Sequence, residues 1–268
     1  MTLDPLELRE FCLELADLAD AETMPAFQTG LEVDTKSDGS PVTAADRGAE
    51  RVVRAAIRAR YPHHAVLGEE DGLDGPEDAP TWIVDPIDGT RSFITGNPVY
   101  ASLIAVCVDG QEVACSVSAP ALGMRWDGVA GGPARCNGRS VRVSRVGELG
   151  QAQVSFGDLS SFARSGQGEA LARLVEATLR QRGYGDFWSF CHVAQGTMDV
   201  AAEAIASIWD FSAVKCLVEA AGGRFTSFDG APAADRGSGL ATNGLLHDAT
   251  LALLSDSPPV PSTGNVRR

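Results

Sequence analysis

Trp82-Ile83-Val84 is a short run of apolar, β-forming residues that leads directly into Asp85-Pro86-Ile87-Asp88-Gly89-Thr90. Such a run reads as a buried strand. Its carboxylates therefore emerge where a buried strand ends, a common place for sites. Pro86 denies the ladder a donor. Gly89 lets backbone approach a ligand closely and leaves N–H groups available at Gly89 and Thr90. Two aspartates beside such amides can bind a hard cation and an anion side by side. The structural alternative is an Asp-rich turn stabilised by its own side-chain-to-backbone bonds.

Two further acidic positions have the same character. Glu69-Glu70 follows the apolar Val66-Leu67-Gly68, although adjacent acids often serve only as surface charge. Asp210, in Trp209-Asp210, precedes the helical stripe Phe211, Val214, Leu217, Val218, where capping alone explains it as an N-cap. Each has a plain structural reading alone. Together they put carboxylates beside strongly apolar segments, where uncompensated charge is unfavourable. Metal ions are the simplest compensation.

With 36 acidic against 22 basic residues, a formal charge of −14 and no basic patch, the chain is a poor partner for nucleic acid. A phosphate-bearing substrate meets the same repulsion unless metal cations intervene. The only lysines, Lys36 and Lys215, do not follow glycine, which excludes a Walker-type loop. Aspartates at 85 and 88 do not form the Asp-x-Asp of phospho-aspartate enzymes. Asp34-Thr-Lys36-Ser-Asp38-Gly39 imitates half an EF-hand, but Lys36 and Ala45 occupy ligand positions. The histidines lack His-x-x-x-His spacing, and His192 reads as core, as does Trp126. Six scattered cysteines without a Cys-x-x-Cys pair read as buried reduced thiols. Apolar runs such as Ala101 to Val108 are too short to cross a membrane. No basic n-region or cleavable segment opens the chain, so a cytoplasmic location is expected.

The 268 residues, 44% hydrophobic, can bury one large core or two sub-domains sharing one. Asp4, Pro5 and the apolar Leu8, Phe11, Leu15, Leu18 and Ala19 predict a first helix. A capping box at Thr43 to Asp46 opens a second, which ends before Tyr61-Pro62. Strands are expected at Ala65 to Gly68, Trp82 to Val84, Tyr100 to Val108, Glu112 to Ser118, Met124 to Val129 and Val141 to Ser144, mostly antiparallel. Beyond a boundary near 145 the pattern alternates. Strands are expected at Gln153 to Phe156, Tyr184, Met198 to Ala202, Arg224 to Ser227 and Gly239 to Thr242, and helices at Glu169 to Arg182, Phe187 to Gln195, Phe211 to Ala221 and Asp248 to Leu254. This gives an α+β half over 1–145, an α/β half over 146–255 and a disordered tail over 256–268. No internal repeat is present.

Gly68-Glu69-Glu70, Trp82 to Thr90 and Trp209-Asp210 with Glu219-Ala-Ala-Gly222-Gly223 together resemble, in order and spacing, the inositol monophosphatase superfamily. The resemblance extends from Leu8 to Leu254. Within it the chain is most similar to the bacterial histidinol-phosphate phosphatases, through Asp34-Thr-Lys36, Pro41 to Arg47, Ser118 to Leu122, Tyr184-Gly-Asp186-Phe187 and Ala241 to His247. Ala204-Ile-Ala206, Trp188 and His192 depart from the expected pattern, which bears on substrate rather than chemistry.

The resemblance implies a five-layered αβαβα sandwich, shared with fructose-1,6-bisphosphatases, and a homodimer. It implies two to three Mg²⁺ ions: Glu69, Asp85 and the Ile87 carbonyl at one, Asp85, Asp88 and Asp210 at another, and a weaker third near Glu69. Gly89 and Thr90 would bind phosphate, and Thr90, Asp46 and Glu69 would orient and deprotonate an attacking water. Glu203 would meet the leaving portion of the substrate; Asp186 and Asn243 are the candidates for a cationic amine or imidazole. The implied reaction is hydrolysis of L-histidinol phosphate, with an inositol or other cyclitol phosphate as the alternative substrate. A catalytically silent metal-binding protein is the reading from another class, and bisphosphates lack a basic cluster to receive them.

Overall fold

The first helix, α1 (Pro5–Ala26), starts as its sequence predicts: the Leu6 N–H donates to the Asp4 carboxylate at 2.9 Å, and Pro5 takes the first position. Leu8, Phe11, Cys12, Leu15 and Ala19 are buried, whereas Leu18, on the flank of this stripe, stays 39% exposed. A small hairpin, β1 (Val33–Thr35) and β2 (Pro41–Thr43), delivers the chain into α2 (Ala44–Arg60). Here the expected capping box forms, with the Thr43 N–H donating to Asp46 at 2.8 Å. The computed structural model describes residues 3–30, 33–36, 41–76 and 78–255. The tail over 256–268 lies outside the described residues, as do 37–40 of the Asp34 to Gly39 stretch.

Eight strands then build one sheet: β3 (Ala65–Gly68), β4 (Gly72–Asp74), β5 (Thr81–Asp88), β6 (Ala101–Val108), β7 (Gln111–Ala119), β8 (Met124–Val129), β9 (Ala134–Cys136) and β10 (Arg139–Val141). Its order is β10-β9-β8-β7-β6-β5-β3-β4, antiparallel except for the parallel β3/β5 pair. Between β5 and β6 a five-residue helix, α3 (Thr90–Ile94), follows the aspartates. Pairing at the far edge stops at Val141 rather than Ser144, because the Val143 N–H turns to the Ala221 carbonyl at 3.1 Å.

The second sheet contains β11 (Gln153–Phe156), β12 (Arg180–Arg182), β13 (Val200–Glu203), β14 (Arg224–Thr226) and β15 (Gly239–Thr242), in the order β12-β11-β13-β15-β14. Around it lie α4 (Leu159–Arg164), α5 (Gly168–Ala177), α6 (Asp186–Ala194), α7 (Ile208–Ala220) and α8 (His247–Ser255). The helix expected to reach Arg182 stops at Ala177. The Gln181 amide donates to the Val175 and Thr178 carbonyls at 2.9 Å, closing the last turn, and Arg180–Arg182 pair with β11 instead. The strand expected at Tyr184 is therefore absent; Tyr184 stacks with Trp188 and His192. His192 is half-buried in that stack rather than core, while Trp126 is fully buried.

Strand alternation divides the packing. Trp82, Val84, Ile104 and Val106 point to α1 and α2; Leu103, Ala105, Cys115, Val117 and Trp126 point to a central core with α6 and α7. The same two helices contact the second sheet, whose other face packs Val154, Phe162, Leu174, Val200, Leu240 and Leu254 among α4, α5 and α8. The layers are thus αβαβα. All six cysteines are unpaired, five of them buried. No helix among the described residues is long and apolar enough to cross a membrane.

His247 ties the second sheet to α8. It is fully buried, with its ring nitrogens 3.0 Å from the Thr226 and Thr242 hydroxyls. Burial, then the Arg224 charge, lowers it from 6.5 to about 4. A depressed histidine stabilises the fold above its unfolded value and loses that contribution as pH falls toward the folded value. The stability advantage of wild type over His247→Gln is accordingly expected to be largest above pH 7 and to shrink from about pH 6.5 to about pH 4. Urea midpoints of the two proteins across that range measure it.

Candidate active site

β3 and β5 run parallel with Gly68 opposite Val84, so Glu69 and Asp85 leave the pair side by side. The strand does not end at Val84, as the sequence suggests; it continues through a register shift to Asp88. Asp85 pairs with Leu103 and Asp88 with Ala101, three steps on one strand against two on the other. In a regular strand, residues three apart face opposite sides. The bulge returns Asp88 to the side of Asp85, toward α7. The Ser102 hydroxyl donates to the displaced Pro86 carbonyl at 2.7 Å.

Asp210 arrives from α7. It is not the N-cap: Ser207 is, and Asp210 sits three positions on, accepting the Ser207 N–H at 2.6 Å. Oxygens of Asp85, Asp88 and Asp210 all lie within 4.8 Å of one another. One oxygen of each is held by a backbone N–H: Ile87 to Asp85 at 3.0 Å, Phe187 to Asp88 at 2.6 Å, and Ser207 to Asp210. These bonds fix the carboxylates with a second oxygen still available for a ligand.

The electrostatics are strained. Burial, reinforced by Glu69, Asp88 and Asp210, raises Asp85 well above the usual carboxylate range. Burial, then Asp186 and Asp210, does the same to Asp88. Asp210 is pushed up to about 7, chiefly by burial. A cation, Lys36, reaches the edge of this group, where its ammonium donates to Glu69 and Glu70 at 2.7 Å each. Burial alone would lower it, but those two carboxylates raise it above its ordinary value. Hard oxygen donors, mutually repelling and buried, fit a hard divalent cation.

Asp46 is buried and, besides its capping bonds, lies 3.5 Å from the Thr90 hydroxyl, which donates to the Ile87 carbonyl at 3.0 Å. Gly89 has φ of 81°, and a Cβ there would come within 3.0 Å of the Val99 carbonyl and 3.3 Å of Asp186. Thr90 opens α3, so its N–H has no acceptor within the helix.

A cavity of about 310 Å³ opens beside Asp88 and Asp210. Phe187, Phe190 and Phe211 line it, together with Asp158, Asp186 and Glu203. Arg91 is the only cation among its lining residues. Asp186 holds a left-handed backbone, φ of 46°, tolerable for aspartate and frequent at sites. Glu203 lies flat against Gly157, where a Cβ would overlap its carboxylate, and burial, then Asp186, pushes it up to about 8.

The structure thus brings Glu69, Asp85, Asp88, Asp210, Asp186 and Glu203 together but not Asn243. The latter lies beyond β15, at the end away from Glu203, which pairs with Gly239. Its amide donates to Ser144 at 2.9 Å and to the Val146 carbonyl at 2.8 Å, and its oxygen accepts the Leu246 N–H. Asn243 is a tether for the loop before β11. Arg91 and Asp158 were not singled out from sequence. Asp158 carries only an N-cap signal, its carboxylate accepting the Ser160 N–H, and Arg91 simply follows the Gly-Thr pair. A second cavity, of about 600 Å³, lies at Asn137, Arg139 and Gln195 and gathers no carboxylate among its described lining residues.

Residues 4–258 match the family model described as the inositol monophosphatase family. The chain is 46% identical to a histidinol-phosphatase of Mycobacterium tuberculosis, over 91% of this chain and 96% of the relative. It is 40% identical to a histidinol-phosphatase of Streptomyces coelicolor, over 94% and 97%. Among solved structures, the inositol monophosphatase from Anabaena superposes with a TM-score of 0.83 at 29% identity, covering 95% of this chain and 98% of that one. Fold, carboxylate arrangement and sequence agree: the chain belongs to the inositol monophosphatase family.

Proposed function

We propose that this chain is a Mg²⁺-dependent phosphomonoesterase that hydrolyses L-histidinol phosphate to L-histidinol and phosphate. The observation that carries the chemistry is the convergence of Asp85, Asp88 and Asp210 beside Glu69. Two Mg²⁺ ions would be held by Glu69, Asp85, the Ile87 carbonyl, Asp88 and Asp210; a third, weaker ion would sit near Glu69. Bound there, the ions supply neutralising charge for the phosphoryl group, the main requirement of phosphoryl transfer.

The remaining roles belong to the chain. Gly89 and Thr90 N–H groups face the phosphate, and Thr90, linked to Asp46, orients an attacking water whose proton passes to Glu69. Water attacks phosphorus directly, without a phospho-enzyme, as the bond from phosphorus to the ester oxygen breaks and that oxygen takes a proton from solvent to leave as the alcohol. Asp186 and Glu203, with Asp158 at the cavity wall, favour a leaving group bearing a positive amine over an uncharged cyclitol. The likeness to histidinol-phosphatases supports the same substrate; a cytoplasmic homodimer is part of the same proposal.

Asp88→Asn separates function from stability. The variant is expected to lose Mg²⁺-dependent phosphate release by about 10³-fold or more, yet to melt higher than wild type in EDTA at pH 8, since one repelling charge is gone. Equal melting temperatures would contradict the electrostatic account. Substrate is tested with histidinol phosphate, inositol 1-phosphate and p-nitrophenyl phosphate. Histidinol phosphate should be turned over fastest, and Asp186→Asn or Glu203→Gln should raise its KM by about 10- to 100-fold while leaving the nitrophenyl ester little changed. A histidinol-phosphate rate no better than that on inositol phosphate sinks the substrate assignment.

A further inference from the structure

Behind Glu69 stands a second carboxylate that faces away from the cavity. Glu50, on the buried face of α2, is fully inaccessible to solvent. Its carboxylate accepts the Glu70 N–H at 2.8 Å, the Asp71 N–H at 3.0 Å and the Arg54 guanidinium at 2.7 Å. Arg54 in turn donates to the carbonyls of Val66 and Gly72, on either side of the turn. Gly68 completes the arrangement, since a Cβ there would overlap the Glu50 carboxylate. The turn from Gly68 to Gly72 is therefore fixed to α2 at both ends and in its middle.

We propose that Glu50 is a positioning residue of the candidate metal centre: by holding the two amides that follow Glu69, it sets the direction in which Glu69 approaches Asp85. This inference rests on the metal reading of the site. The Glu69 N–H donates to Val84 at 3.1 Å, so β5 anchors the residue before the amides that Glu50 holds. Between these anchors the Glu69 side chain lies beside Asp85 and accepts from Lys36. A buried ion pair such as Glu50–Arg54 gives little net stability compared with apolar packing. Its value here lies in geometry, because groups that orient a metal ligand from outside govern affinity by about 10- to 100-fold.

Two variants loosen the turn from opposite sides. Glu50→Asp keeps the charge beside Arg54 but shortens its reach; Gly68→Ala displaces the carboxylate without changing it. Calorimetric titration with Mg²⁺ in the absence of substrate should show both binding about 10-fold or more weakly than wild type, with faster amide exchange at Glu70 and Asp71. Phe162→Leu, on the buried face of α4, serves as a control with lowered melting temperature and should bind Mg²⁺ as wild type does. Wild-type affinity in both turn variants, or an equal loss in Phe162→Leu, overturns the positioning role alone. Failure of the wild-type chain to bind Mg²⁺ saturably overturns the metal reading and this inference with it.

Discussion

Buried like charges set the conditions under which the rest of this structure has to work. Glu69, Asp85, Asp88 and Asp210 come from three separate elements, and the last three cannot all be ionised so close together without a cation. The scaffold lowers the penalty without removing it: Ile87, Phe187 and Ser207 each give one N–H to one carboxylate. Two of those donors come from helix starts, where N–H groups are available and the dipole favours negative charge. The positions of α6 and α7 in the middle layer follow the same requirement, since both helices point their N-termini at the end of β5.

Around this centre the division of tasks is spatial. The eight-stranded sheet, the turn after β3, α2 and α3 contribute Asp46, Glu69, Asp85, Asp88 and Thr90, groups suited to the phosphate end of a substrate. The second half of the chain contributes Asp158, Asp186 and Glu203, which line the space where a leaving alcohol would sit. Selectivity can therefore change through the loops at β11, α6 and β13 while the acidic centre is left intact. Glu203 illustrates how closely such a wall is built, for its carboxylate occupies the volume that any side chain at residue 157 would need.

The acidic junctions and most of the helices and strands were legible in the sequence because each rests on a local rule: an apolar run ending in acid, a capping box, a helical stripe; the αβαβα layering came from the family resemblance. Thr43 and Asp46 form the box their spacing predicts. Asp210 obeys the same rule one step removed: Ser207, three residues earlier, is the cap, and Asp210 is the acid that closes its box. What stayed illegible depends on tertiary register. Nothing local shows that β5 continues past Val84, or that Asn243 is used up by Ser144 and Val146. Glu50 did leave a trace, since Asp46, Glu50 and Arg54 fall at four-residue intervals beside the buried Ala49, Val53 and Ile57. Charges on that stripe need partners, but only the folded chain shows which.

The bulge in β5 makes the centre a matter of parity. A pleated strand assigns its side chains to two faces by odd and even count, and the extra residue between Asp85 and Asp88 changes the count once. Removing a single residue there would leave every carboxylate in the chain and the rest of the sheet paired as before, yet Asp88 would face α2 instead of α7. The centre is thus encoded as much by a number as by its acids: the same residues, out of phase by one, would be an ordinary strand with a misplaced charge.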